Sequence, residues 1–280
     1  MKLRLIIIPV LLYITTIVSS SIAQDAKEPA EETISRKITV SVCGECGYWE
    51  PGNVPLKCSK CNASRDKFKK DEKEITLGTE LVKNGTLEAG ADSPDNWDEI
   101  DNLTTFWGKR DENNKCFKFD SDILEEEAEK RRSEMKLPKN NRPSPTKKTT
   151  PPEKQKYETI AALEGALIWS DFINIEAGKS YYLSCEVKTA APAVKIWVKG
   201  YRSEITGREK VDITYKKYFP TEDFFSKDKL NKWVTVEGDF TPQHPNPTMI
   251  PQKIKIMVMV YWPRGEAFLD NFSIREIITK

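Results

Sequence analysis

From about residue 77 to residue 278 the apolar positions come in short runs that alternate with polar ones and are broken by Gly, Pro and Asn/Asp clusters. A period of two is the signature of a strand that buries one face, so the runs 181–187, 193–199, 233–237, 253–261 and 267–274 are predicted to be antiparallel strands. Alternation also assigns faces. Val194, Ile196 and Val198 look inward, leaving Lys195, Trp197, Lys199 and Tyr201 outward; Ile254, Ile256, Val258 and Val260 look inward, leaving Lys253, Lys255, Met257, Met259 and Tyr261 outward. Tyr182 is likewise opposed to Leu183, Cys185 and Val187. Trp97 and Trp233 are assigned to the core. Several such strands in roughly 200 residues make a β-sandwich or barrel the expected fold.

Three stretches break this rhythm. Residues 124–156 begin with a Glu/Lys/Arg-rich, helix-forming segment and continue with Pro138, Pro143, Pro145, Pro151 and Pro152 among Lys and Thr, which reads as a charged, Pro-rich insertion within the sandwich. The charge run 67–74 reads as a solvated linker. At the amino end Lys2 and Arg4 precede an apolar run, 5–18, and the small residues around Ser21-Ile22-Ala23, the layout of a secretory signal peptide over 1–23. The run also approaches the length of a membrane span, so an uncleaved anchor stays open beside it. Residues 24–36 are polar and acidic and read as a tether.

Charged residues make up 31% of the chain, yet the net charge is only +1, and loss of Lys2 and Arg4 leaves 42 basic against 43 acidic residues. Without a basic field a nucleic-acid partner is not expected. Cleavage of the signal would leave a secreted or periplasmic chain with no membrane insertion. The one histidine, His244, sits in a turn-rich loop, and there is no nucleophile elbow, P-loop or dinucleotide fingerprint. No enzyme is expected.

Cys43-Gly-Glu-Cys46 and Cys58-Ser-Lys-Cys61 form two C-x-x-C pairs separated by eleven residues. Two residues between thiols let the backbone curl so that both sulfurs face one ion, and two such knuckles complete a tetrahedral four-thiolate site. Two disulfides are the alternative in an exported chain, but adjacent C-x-x-C bridges close strained rings and restrain little chain. Around these cysteines, Gly47 with an aromatic after it, Pro55 before the third cysteine and Phe68 closing the stretch resemble the rubredoxin-like domain of rubrerythrins. The resemblance implies a module over 37–71 binding iron or zinc through the four cysteines, and an electron-transfer role with a redox partner where the metal is iron. Ser59 and Asn62 depart from the family's usual Pro and Gly, although Asn is the next best residue at positive φ. The rubrerythrin di-iron bundle is absent from the sequence.

A second resemblance covers 77–278. Leu81-Val-Lys-Asn-Gly-Thr-Leu-Glu88, Pro94-Asp-Asn-Trp97, the run 175–184, Trp233-Val-Thr-Val and Ala267-Phe-Leu-Asp-Asn-Phe-Ser-Ile-Arg275 are similar, in order and spacing, to landmarks of galactose-binding-like, carbohydrate-binding-module jelly rolls. The fold class this implies is mainly β: a small metal module followed by an antiparallel β-sandwich with the insertion. It also implies a structural calcium ion at Glu88 and Asp270. Sugar recognition needs flat aromatic faces on a solvent-facing sheet, which singles out Trp197, Tyr201, Tyr261 and Tyr182; the alternative is that the insertion covers this face. The two remaining cysteines, Cys116 and Cys185, either pair across a long loop or lie buried as free thiols, Cys116 being out of phase with Phe117 and Phe119. The reading is therefore an exported, non-catalytic binding protein that recognises a glycan or a cell-surface protein; the alternative is a rubredoxin-type electron carrier localised by its sandwich.

Overall fold

The structure, a computed structural model, describes residues 34–278 apart from 52–53, 125, 128–129, 131–132, 134–158, 164, 191 and 222–226. The signal segment, most of the tether and nearly all of the insertion lie outside the described residues. The strands are β1 (Ile34–Cys43), β2 (Trp49–Pro51), β3 (Phe68–Glu80), β4 (Thr105–Lys109), β5 (Lys115–Asp120), β6 (Ala166–Trp169), β7 (Ile173–Asn174), β8 (Tyr181–Thr189), β9 (Ala193–Tyr201), β10 (Ile213–Pro220), β11 (Val234–Phe240), β12 (Lys253–Tyr261) and β13 (Glu266–Ile278). They form two antiparallel sheets. One runs β11-β8-β13-β3-β1-β2, with β5 also on β13 and β4 on β5; the other runs β10-β9-β12-β6, with β7 also on β12.

The predicted inner faces are those observed, while Lys199, Tyr201 and Met257, expected outward, are buried as well. Val194, Ile196, Val198, Ile254, Ile256, Val258 and Val260 are all at most 1% exposed and meet Leu183, Val187, Leu269 and Ile274 from the other sheet. Each such side chain contributes about 1.5–3 kcal/mol by leaving water. Trp97 anchors one end of this core, with its ring 5.1 Å from Phe117 and 4.7 Å from Phe272. The ends of the insertion meet in a bridge between Leu124 and Thr159.

Three expectations are corrected and one open alternative is decided. The charge run 67–74 is not a linker: from Phe68 onward it is β3, paired with β1 from Phe68↔Cys43 to Leu77↔Ile34 and continuous with the sandwich through β13. The side chains of Lys69 to Glu72 are exposed on both faces of this strand, although β1 beside it buries Ile38 and Val40, so charge there reflects solvent around β3 itself. Only from Ile75 does burial alternate.

Trp233, expected in the core, is half-buried, with the Arg110 guanidinium 4.2 Å from its ring. Tyr182 belongs to the eight-stranded sheet and is buried with Ile38, Val40, Ile75, Leu77 and Ile277, where the ribbon joins the sandwich.

A Cys116–Cys185 bridge is not formed. Strand β13 lies between β5 and β8, since Leu269 faces Phe117 on one side and Val187 on the other. Cys185 shares the core face with Val187, while Cys116 follows the opposite parity to Phe117. Two strand spacings, about 10 Å, exceed the reach of a disulfide.

Candidate functional site

The four cysteines converge at the far end of the ribbon, with all four sulfurs within 4.8 Å of one another. Cys43 closes β1 and Cys58 follows β2; both are buried, whereas Cys46 and Cys61 are exposed. The knuckles repeat one geometry. Gly47 N–H donates to Cys43 O at 2.9 Å while Cys43 N–H donates to Tyr48 O at 2.8 Å; Asn62 N–H donates to Cys58 O at 2.9 Å while Cys58 N–H donates to Ala63 O at 2.8 Å. This curl needs positive φ at the residue after the second cysteine of each pair, and Gly47 (70°) and Asn62 (61°) supply it. Ser59 Oγ donates to Glu50 Oε1 at 2.9 Å, tying the second knuckle to β2.

The donor set fits a metal. Cys43 Sγ lies 3.6 Å from Cys61 Sγ, and Cys46 Sγ 3.6 Å from Cys58 Sγ. A tetrahedron with metal–sulfur bonds of about 2.3 Å has sulfur–sulfur edges of about 3.8 Å, whereas a disulfide requires about 2.05 Å. Amide groups already point at the sulfurs: Tyr48 at Cys46, Lys60 and Cys61 at Cys58, Ala63 at Cys61. Burial pushes the Cys58 thiol up, but the amides of Cys61 and Lys60 together with Cys46 outweigh it and bring it down to about 7. Cys43, Cys46, Cys58 and Cys61 would hold one soft or borderline ion with no open position.

The outer face of the five-stranded sheet carries a different feature. Register places Trp169 beside Met257, Met257 beside Trp197 and Trp197 beside Tyr218. The four form one rung crossing β6, β12, β9 and β10, about 14 Å long from the usual strand spacing. Trp197 and Tyr218 lie 4.9 Å apart at 32°, and both are half-buried. Two members, Trp169 and Tyr218, were not singled out from the sequence. The alternation of Leu167 and Trp169 around Ile168, and of Tyr218 with Phe219, was the signal available.

The sequence-predicted aromatics separate. Tyr261 shares the face of Trp197, at the end of β12, with Lys195 Nζ 4.3 Å from its ring. Tyr201 is on the same face but only 8% exposed, with Phe172 edge-on at 5.1 Å. Tyr182 is on the other sheet. Lys199 is buried beside the rung, 3.1 Å from Glu209 and 4.5 Å from the Trp169 ring; burial pulls its ammonium down while Glu209 opposes this.

The carboxylates expected to hold calcium have other partners. Arg110 Nη1 donates to Asp270 Oδ2 at 2.7 Å and to Glu186 Oε2 at 2.5 Å, and Glu88 Oε1 accepts from Lys115 N–H at 2.9 Å. The cation facing Asp270 is thus a guanidinium. His244 is half-buried and, among the described residues, engages its own loop at Asn246.

No known family and no curated protein matches this chain. Solved structures similar to it include the enzymatically active domain of bacteriophage CBA120 tailspike protein 4 (9% identity, 71% of this chain, TM-score 0.40), of which the chain spans only 21%. Others are the CBM22-1 xylan-binding domain of Paenibacillus barcinonensis Xyn10C (11% identity, 72% of this chain and 97% of that one, TM-score 0.37) and TmCBM61 in complex with β-1,4-galactotriose (15% identity, 70% and 98%, TM-score 0.35). The likeness is too distant to say anything of activity.

Proposed function

We propose that the chain is an exported glycan-binding protein without catalytic activity of its own, whose platform is the outer face of the five-stranded sheet and whose four-cysteine knuckle is a structural metal site. The observation that carries this reading is the rung of Trp169, Met257, Trp197 and Tyr218. The half-buried rings of Trp169, Trp197 and Tyr218 on the outer side of a rigid sheet, with Met257 buried between the two tryptophans, match the apolar faces of successive sugar rings, and neighbouring polar side chains can take up hydroxyls. The metal holds the turns between β1, β2 and β3, where there is too little apolar chain to fold unaided. Retention of the full-length, metal-loaded protein on a panel of immobilised polysaccharides tests the reading. Binding of at least one glycan that Trp197→Ala abolishes supports it, and failure to bind any member of a broad panel defeats it.

Electron transfer is a second reading, favoured by the exposure of Cys46 and Cys61, which would bring a bound iron close to the surface. A visible thiolate-to-iron band that bleaches on reduction supports it. A colourless protein with one zinc per chain defeats it.

A further inference from the structure

The aromatic rung has lysines on both sides. One register step along the sheet lie Lys255, Lys199 and Lys216, abreast on β12, β9 and β10. One step the other way lies Lys195, and Lys253 follows beyond Lys255. Among the described residues the single carboxylate within ion-pair distance of these five is Glu209, at Lys199. The chain as a whole is close to neutral, so this is a local concentration.

Like charges directly opposite on adjacent strands repel. Three ammonium groups abreast with one counter-charge therefore leave a positive strip that an external anion would relieve. The lysines are also held at the level of the platform: Lys195 over Tyr261, and Lys253 and Lys255 at 5.2 and 4.7 Å from the Phe172 ring. Successive same-face rungs are about 6.8 Å apart, a separation that the long lysine arm spans. A sugar chain lying along the aromatic rung would have its substituents within reach of three-donor ammonium groups on either flank.

We propose that the ligand of this face is an anionic polysaccharide, one bearing carboxylate or sulfate groups along its length. The inference rests on the glycan-binding reading above. Its test is titration of the full-length, metal-loaded protein with polygalacturonate, heparin, neutral xylan and double-stranded DNA at low and high salt, alongside Trp197→Ala and the triple variant Lys195→Gln/Lys216→Gln/Lys255→Gln. Each exposed ion pair lost should weaken binding about two- to fivefold. The triple variant should therefore lose roughly ten- to a hundredfold in affinity for polygalacturonate or heparin, with an unchanged thermal midpoint, and Trp197→Ala should abolish the binding. The preferred polyanion tells carboxylate from sulfate. Xylan bound as tightly as either acidic polymer, with no effect of salt or of the triple variant, overturns the inference while leaving glycan binding intact. Polyanion binding that extends to DNA and survives Trp197→Ala also overturns it, as mere adsorption. Failure to bind any glycan defeats the underlying reading, and this one with it.

Discussion

Arg110 and Asp270, 160 positions apart in the chain, meet on the outside of the eight-stranded sheet with Nη1 2.7 Å from Oδ2. The Asp270 side chain is only 3% exposed, and the same guanidinium also holds Glu186 and covers the ring of Trp233. One side chain from the loop between β4 and β5 thus pins β8 and β13 together, which is the task a calcium ion at Asp270 was expected to perform. A positive group was required there, because an ionised carboxylate that buried is costly without one.

Arg110→Met should destabilise the protein by about 3 kcal/mol, the lower end for breaking a buried pair, since Glu186 keeps some solvent. The effect should depend on pH. The Arg110 side chain holds Glu186 below its ordinary range, so that contribution is present at neutral pH and fades as pH falls through the depressed value. Burial displaces Asp270 upwards, against Arg110, so its contribution has the opposite sign: complete below the ordinary carboxylate value and lost as pH rises through the folded one. The two oppose each other on either side of the ordinary carboxylate range. Without Arg110 both carboxyls move up, and the variant should recover stability on going from pH 7 to 4.5. Denaturant midpoints at the two values check this; a deficit that does not shrink in acid counts against it.

Cys58→Ser removes one of two buried thiolates and the acceptor of the Lys60 and Cys61 amides. Metal content should fall from one ion per chain to none, and limited proteolysis should open the segment 44–67. The sandwich has its own core of residues from β5 to β13, so its unfolding midpoint should change by less than a few degrees. Because β3 runs unbroken from the knuckle into the sheet, protection should return at about Ile75, where burial begins. Undiminished metal content in the variant would exclude the four-cysteine assignment.

Trp197→Ala separates platform from core. The indole is half-buried and packed at a tilt against Tyr218, so truncation should cost about 1–2 kcal/mol, well under the 3–5 expected of a fully buried tryptophan. Glycan retention should nevertheless be lost. A large fall in thermal midpoint would mean that the ring is a packing residue.

Side-chain alternation made the inner faces of β9 and β12 legible in advance, because each packs an unbroken row of alternate apolar residues into the core, while its other face is partly covered, at Lys199, Tyr201 and Met257. Asn62 was legible too, since few residues besides Gly tolerate the φ of 61° that the knuckle imposes. Strand β3 was not, because its own side chains from Lys69 to Glu72 face solvent on both sides and carry no hydrophobic period. Arg110 was missed because its partners Glu186 and Asp270 are brought near only by strand order, which no local pattern encodes. Tyr182 was misplaced for a related reason: alternation gives the side of a strand but not what covers that side, and here β1 and β3 do.

Cys116 and Cys185 should behave as two inert thiols. They are 0% and 1% exposed, and β13 separates the strands that carry them. Burial, with the nearby Asp270 carboxylate, pushes the Cys116 thiol up to about 12, and burial, with the Glu186 carboxylate, raises Cys185 strongly. The thiolate is the reactive form, so at pH 8 neither should exchange with a disulfide reagent while the protein is folded. Unfolding removes both the burial and the shift, after which the two should react at the rate of ordinary cysteines. Alkylation of the native, metal-loaded protein followed by denaturation and a second, mass-distinct alkylation reads this directly. Peptides carrying Cys116 and Cys185 should appear separately, each with the second label alone. A crosslinked peptide joining them would mean that β13 does not lie between β5 and β8, and would overturn the strand order of the eight-stranded sheet as well as the assignment of free thiols.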